Sequence, residues 1–433
     1  LPTSPKPKRT RRARPRVPLA SALEMGRRAQ AALARAGAGE ISLVGAARRG
    51  HELLERVEMI ARLVDAETLA RALGALEGCR ARVDARDVVR VSFDHAGDAV
   101  VRIVPEDRWI EWLVRATGSA RHVRWLSRRA SDRGGALSAI FAGARSEVDV
   151  YARLRLPWAA PELRDGPTPR MPALVDSVRG IFHVHTTWSD GTASIAEMAR
   201  AAADAGFAYV GVTEHSRAAT YAGGLDAAKL REQSHAVSEA RRLVSGVHIL
   251  HGVEVDVMKD GSLDLDDATL GALDFVIASV HVDLDLSPRA MTARIVRAVS
   301  HPLVTILGHP TGRLLLGRAG YAFDIDAVAD AAAANDTFLE INANPQRLDL
   351  GEDLVRRAAA RGARFAIDPD AHAPRGVRDT ALGITVARRA GLTAGQVLNA
   401  MGPAEVAAFL SARRRKGIAA LAALAAEASP DPS

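Results

Sequence analysis

His183 and His185, followed by Asp190, could act together on a metal ion. They lie in the stretch Gly180-Ile-Phe-His183-Val-His185-Thr-Thr-Trp-Ser-Asp190-Gly191. Ile181, Phe182 and Val184 are apolar and β-prone, which predicts a strand of a buried sheet. The two-residue repeat of a strand then puts both imidazoles on one face. Asp190 falls where the strand should give way to a glycine-containing loop. Two imidazole nitrogens and a carboxylate converging at a strand end suit a divalent transition metal such as Zn²⁺ or Mn²⁺. Taken alone, the stretch could equally hold a pair of surface or hydrogen-bonded histidines.

The elements around it favour the metal. Strands are expected to begin near Ile181, Tyr209, Val247, Phe275, Val304, Phe338 and Phe365, with helices over 195–205, 227–243, 290–299, 325–334 and 353–361. This succession of β/α units makes the fold class α/β and argues a parallel barrel over an open sheet. In such a barrel chemistry sits where strands end. Glu214 and His215 close the second strand, Glu254 and Asp256 the third, and His281 the fourth. His309 closes the fifth, and Asp368, Asp370 and His372 the seventh. A buried cluster of imidazoles and carboxylates without a cation would leave costly unpaired groups.

The rest of the chain is organised differently. The 433 residues are 48% hydrophobic, enough for more than one core. Residues 1–16 carry seven basic side chains and no acid, so this arm, expected to be disordered, accounts for the whole net charge of +7. Such an arm permits nucleic-acid binding without establishing it. A helix over 19–36, a short strand ending in the basic turn Arg48-Arg49-Gly50, strands over 88–91 and 99–104, and basic helices after Glu106 predict an α+β domain over 17–155. Five prolines mark 156–177 as a linker. Cys79 is the only cysteine, which excludes a disulfide framework and fits a cytoplasmic setting. No apolar run is long enough to cross a membrane.

His183, His185, Asp190, His215, Glu254, His281, His309, Asp370 and His372 together resemble the ligand set of the PHP (polymerase and histidinol phosphatase) domain. The resemblance implies a distorted (β/α)₇ barrel over 178–412, with 413–433 as a tail, binding three divalent ions (Mn²⁺, Zn²⁺ or Fe²⁺) and cleaving phosphate esters. It implies one metal on His183, His185, Glu254 and Asp370 and a second on Asp190, His215 and His372. Glu254, His281 and His309 would hold the third. Many relatives have Asp-His where this chain has Glu214-His215, an acid expected to orient a neighbour. Divalent ions lower the pKa of bound water and offset phosphate charge, so no Ser or Cys nucleophile is required. No glycine-rich phosphate loop or nucleotide fingerprint is present.

A second resemblance narrows the branch. Leu156-Pro-Trp158-x-x-Pro-Glu-Leu163-Arg, Gly308-His-Pro-Thr-Gly-Arg313 and Glu340-Ile-Asn-Ala-Asn-Pro-Gln-Arg347-Leu-Asp349 look like bacterial family X DNA polymerases, in which a PHP domain follows the polymerase. Residues 17–155 would then be the polymerase palm, with its three metal-holding aspartates replaced by Arg56, Glu58 and Val100. One carboxylate beside an arginine should not hold the metal pair that polymerisation needs. The resemblance therefore implies a degenerate polymerase attached to a DNA-directed phosphoesterase, a 3′–5′ exonuclease or 3′-end processing enzyme of repair. A histidinol-phosphate-type phosphatase, a non-catalytic DNA-binding protein and an active polymerase are the competing readings.

The seven remaining histidines fit no ligand position. Arg48 and Arg49 are expected to be solvated, as is the basic strip 413–416. Arg313 could meet a substrate phosphate or pair with a neighbouring carboxylate.

Overall fold

The computed structural model describes residues 16–94 and 97–428, so the basic arm, apart from Arg16, and His95 lie outside the described residues. The chain divides between Pro169 and Arg170 into two compact units.

In the first unit, β1 (Val17–Pro18) pairs antiparallel with β3 (Leu53–Leu54). A five-stranded sheet runs in the order β2 (Glu40–Val44), β4 (Val57–Arg62), β7 (Gly97–Ile103), β6 (Val88–Phe93), β5 (Cys79–Ala85). Only β4 and β7 are parallel neighbours. Helix Leu19–Arg35 buries Leu19, Ala22, Met25, Ala29, Ala32 and Leu33, the three- and four-residue spacing of one helical face. That face and helix Ala66–Gly74, capped by the Asp65 carboxylate on Thr68 N, cover Met59, Val89, Val91 and Val101 of the sheet. Helices Trp109–Thr117, Ala120–Ser131, Leu137–Phe141 and Glu147–Arg153 gather around Val114, Leu126, Ala130 and Tyr151. The α+β arrangement is the expected one, although the sequence did not announce β4 and β5.

Arg48 and Arg49 depart from expectation. Arg48 donates to Thr117 Oγ1 at 2.8 Å and to both oxygens of Glu147 at 3.0 and 2.6 Å. Arg49 donates to Asp165 Oδ1 and to Thr117 O, each at 2.7 Å. Arg164, inside the stretch expected as a linker, is fully buried and donates to Glu147 Oε1 at 2.5 Å. A guanidinium withdrawn from water needs such acceptors, and Glu147 serves two of them. Burial works against ionisation of Glu147, but Arg48 and Arg164 hold its carboxyl below the usual range.

The second unit is a parallel barrel. Its strands, β8 (Gly180–Ile181), β9 (Tyr209–His215), β10 (His248–Asp256), β11 (Phe275–Ser279), β12 (Ile306–Leu307), β13 (Phe338–Asn342) and β14 (Arg364–Asp368), pair consecutively and in parallel. The two ends of the sheet meet beyond β8 and β14, where His185 N donates to Ala371 O at 2.9 Å and Ala371 N to His183 O at 3.2 Å. This nearly closes a seven-stranded (β/α) barrel, as the strand count predicted. Ser194, Asp226, Ser287 and Asp324 cap four of the intervening helices. Phe182, Tyr209, Phe275 and Phe338 belong to one buried aromatic cluster. The Phe275 ring needs Gly211 and Gly252 beside it, since a Cβ there would stand 2.4 and 2.6 Å from the ring.

At residue 413, where a tail was expected, helix Pro403–Ala428 continues unbroken. Arg413 is not solvated. It donates to Asn335 O at 2.8 Å, to Asp336 O at 3.0 Å and to Val304 O. Among the described residues no helix is long and apolar enough to cross a membrane.

Candidate metal centre

The strand ends bring all nine expected residues together. Among the described residues, four groups of His and carboxylate side chains have ligand atoms within 4.8 Å of one another. They are His185/Asp190/His215/His372, His183/His185/Glu254, His183/His309/Asp370 and His215/Glu254/His281. Regular pairing of β8 stops at Ile181 because Phe182 N turns to the Asp368 carboxylate at 2.7 Å. The chain nevertheless stays extended, with Thr213 N on Val184 O at 2.9 Å, so the rings of His183 and His185 stand 5.1 Å apart on one side. His309 and Asp370 both adopt positive φ, +23° and +49°. Non-glycine residues hold this conformation only where the surroundings enforce it, commonly at functional sites.

Glu254 is central. Its Oε1 lies 3.3 Å from His183 Nε2, 3.3 Å from His281 Nε2 and 2.9 Å from His309 Nε2. Its Oε2 lies 2.8 Å from His215 Nδ1 and 3.6 Å from His185 Nε2. One fully buried carboxylate thus faces two sets of imidazoles, a geometry suited to bridging two cations. Asp190 approaches His215 at 3.6 Å and His372 at 3.4 Å from the loop after β8.

The electrostatics ask for cations. His183 Nε2, both ring nitrogens of His185 and His309 Nδ1 are buried without a hydrogen-bond partner. Leaving so many polar atoms unsatisfied is costly unless something else coordinates them. Burial opposes protonation of His215 and His281, yet Glu254 and the adjacent aspartates push them up to about 10 and about 9. Burial and the neighbouring His215 push His185 down to about 3, leaving the neutral imidazole that binds metals. Burial also opposes ionisation of Glu254, but His215, His183 and His281 hold its carboxyl well below the usual range. The donor set, a negative pocket with free imidazole nitrogens, fits divalent ions such as Mn²⁺, Zn²⁺ or Fe²⁺.

Several supporting residues were not assigned roles from sequence. Glu340, at the middle of β13, accepts from His183 Nδ1 at 2.7 Å and so aims Nε2 into the cluster. Asp256 does the same for His281 Nδ1 at 3.0 Å. Asn342 donates to Asp370 Oδ2 at 3.1 Å, and Arg347 Nε stands 3.3 Å from the same oxygen. Glu214 is fully buried and accepts from Thr186 N, from the Thr186 and Ser189 hydroxyls and from Gln233 Nε2. It therefore orders the loop that carries Asp190. Arg313 donates to Arg347 O at 2.9 Å and to Leu348 O, bracing the loop that presents Arg347.

In the first unit, Glu58 of β4 sits directly opposite Val100 of β7 in the parallel register. Arg56 pairs with Glu58 at 2.6 Å. Gly45, at φ +64°, leaves room for the Glu58 carboxylate, since a Cβ there would stand 2.6 Å from Oε2. The three positions are thus adjacent and hold one carboxylate among them.

Barrel topology and strand-end chemistry define a PHP-type domain, and the family described as "PHP domain" matches residues 182–344. The likeness extends over both units to DNA polymerase/3′-5′ exonuclease PolX of Bacillus subtilis (strain 168), 33% identical over 86% of this chain and 68% of that protein. The chain belongs to the PolX family. A probable phosphatase of Thermoanaerobacter sp. (strain X514) is 32% identical over 49% of this chain and 92% of its own length. Another, from Acetivibrio thermocellus, is 28% identical over 44% of this chain and 78% of its own. The PHP domain and these relatives support a metal-dependent hydrolase of the phosphoesterase type.

Proposed function

We propose that this chain is a 3′–5′ exonuclease or DNA 3′-end processing enzyme whose polymerase half no longer polymerises. The observation that carries the reading is the strand-end cluster of nine ligand-type residues with buried, unpartnered imidazole nitrogens. His183, His185, Glu254 and Asp370 would hold one ion, Asp190, His215 and His372 a second, and Glu254, His281 and His309 a third. Bound there, divalent ions supply an ionised water near neutral pH and offset charge on the phosphate oxygens. The chain's own residues keep the imidazoles oriented through Glu340 and Asp256, while Arg347 adds positive charge beside Asp370.

DNA is favoured as substrate because the likeness to the B. subtilis protein includes the first unit. Loss of polymerisation rests on the Arg56, Glu58 and Val100 positions, where a carboxylate already neutralised by an arginine replaces a three-carboxylate site. The lone Cys79 accords with a reducing, cytoplasmic setting. A small-molecule phosphatase is the second reading, favoured by relatives named as probable phosphatases that match the barrel alone.

The test is degradation of a 5′-labelled DNA primer with Mn²⁺, beside a His183→Ala control and a reaction with dNTPs. Stepwise shortening that His183→Ala abolishes, without extension, is the expected result. Extension would overturn the reading of the first unit. Phosphate release from histidinol phosphate with no DNA cleavage would move the chain to the second reading.

A further inference from the structure

Tyr221 stands beside the candidate metal centre and takes no part in the ligand cluster. Its ring centroid lies 6.0 Å from that of His215 and 6.4 Å from that of His281, with interplanar angles of 59° and 75°. Neither imidazole therefore lies flat against the ring. Tyr221 is 69% exposed, whereas His215 next to it is 5% exposed. Among the described residues its hydroxyl has no hydrogen-bond partner. A single exposed aromatic is ordinary on a protein surface. This one is held over the reacting centre.

The loop that carries Tyr221 is fixed at several points. Leu225 N donates to His215 O at 2.7 Å, and Asp256 N donates to Ser216 Oγ at 3.0 Å. Asp264 accepts from Ala218 N at 2.7 Å and from Arg217 Nε at 3.3 Å. Ala219 and Ala222 are buried to either side of the exposed ring, in and beside the short turn Thr220–Ala222. These bonds tie the loop to the strand ends that carry His215 and Asp256. The position of the ring relative to the cluster is thus set before any substrate binds.

Such a ring suits one class of ester. A phosphodiester engaged at the cluster brings the neighbouring part of its substrate towards Tyr221. In a nucleotide that part includes a flat base, one sugar away from the phosphate. Aromatic side chains hold bases by stacking whatever the sequence, because every base has a π-face.

We propose that Tyr221 is the stacking platform for the base of the 3′-terminal nucleotide, selecting nucleotide esters over base-free phosphate esters. The inference rests on the DNA reading of the barrel and adds to it the residue that recognises the base.

The test uses the full chain with Mn²⁺ and two 5′-labelled oligonucleotides. They are identical except that the 3′-terminal nucleotide of one is abasic. The readout is the ratio of kcat/KM for removal of the normal terminus to that for the abasic one. Loss of one base stack costs about 5- to 150-fold. The wild-type ratio should fall in that range, Tyr221→Ala should bring it close to 1, and Tyr221→Phe should keep it. The Mn²⁺-dependent rise in unfolding midpoint identifies variants that fold and bind metal. Should Tyr221→Ala lack that rise, Tyr221→Leu takes its place with the same expected ratio. A wild-type ratio near 1, or an unchanged ratio in the Ala or Leu variant, would overturn the platform and leave the exonuclease reading standing. A ratio that falls as far in Tyr221→Phe would assign the effect to the hydroxyl and overturn stacking. Wild-type protein that shortens neither oligonucleotide would overturn both readings.

Discussion

Glu340 and His183 form a buried carboxylate–imidazole pair at 2.7 Å, and the pair decides which nitrogen of His183 faces the candidate metal centre. With Nδ1 held by the carboxylate, Nε2 is left facing Glu254 and Asp370. Replacing Glu340 with Gln keeps the shape but removes the charge that fixes the imidazole's tautomer and basicity. Loss of such a partner typically costs ten- to a hundredfold in metal affinity or activity. Glu340→Gln should accordingly need about tenfold or more Mn²⁺ for half-maximal phosphodiester hydrolysis while retaining its circular dichroism. An unshifted Mn²⁺ titration would remove Glu340 from this role.

Metal removal should be visible without any substrate. An ion that binds only the folded barrel stabilises it by about 2.7 kcal/mol at a hundredfold excess over Kd. Chelator-treated protein should therefore unfold at lower temperature, and Mn²⁺ should restore the midpoint. In Glu254→Gln the restoration should shrink, because the carboxylate that faces five imidazoles has lost its charge. Calorimetry showing the same midpoint with chelator and with Mn²⁺ would count against a metal site here.

The nine clustered residues were legible because chemistry restricted their types and barrel topology restricted their places. Their supports were not. Glu340 reaches His183 from 157 residues away, and no spacing rule connects them. The motif around Glu340 resembled family X polymerases, yet nothing in its local pattern distinguished a carboxylate behind an imidazole from an ordinary strand residue. Strand β5 was equally silent. Its residues are largely exposed on both faces, so the alternation of buried and exposed side chains that marks a strand is weak there. The charge runs misled for a different reason. Arg48, Arg49 and Arg413 read as solvated because arginine is mostly exposed, but each finds carbonyl or carboxylate acceptors supplied by distant segments.

The first unit should be acid-sensitive through His122. Burial pushes this imidazole down to about 4, with Nδ1 at 2.7 Å from Gly166 O and Nε2 at 2.8 Å from Tyr151 Oη. The unfolded chain protonates near 6.5, so stability is complete above that pH and is lost as pH falls from 6.5 towards 4. The full loss corresponds to about 3 kcal/mol. Four of the five tryptophans, Trp109, Trp112, Trp125 and Trp158, lie in this unit, so in a Trp188→Phe background tryptophan fluorescence reports its unfolding. Denaturation midpoints should fall through this window in wild type and fall less in His122→Gln. Parallel pH profiles for the two proteins would exclude His122 as the source.

Arg413 should matter more to stability than its place near the chain's end suggests. Burial lowers its guanidinium to about 10, and the side chain serves carbonyls of Asn335, Asp336 and Val304 at the base of β12 and β13. Removing a buried partner leaves acceptors unsatisfied, each at a cost of about 1 to 3 kcal/mol. Arg413→Ala should thus destabilise the barrel by about 2 to 4 kcal/mol, within the range of buried-network losses. Arg415, which among the described residues meets the Ser411 hydroxyl one helical turn away, provides the comparison. Arg415→Ala should change stability by less than about 0.5 kcal/mol. Urea denaturation of the two variants separates an anchoring helix from a solvated one, and equal midpoints would place Arg413 among ordinary surface residues.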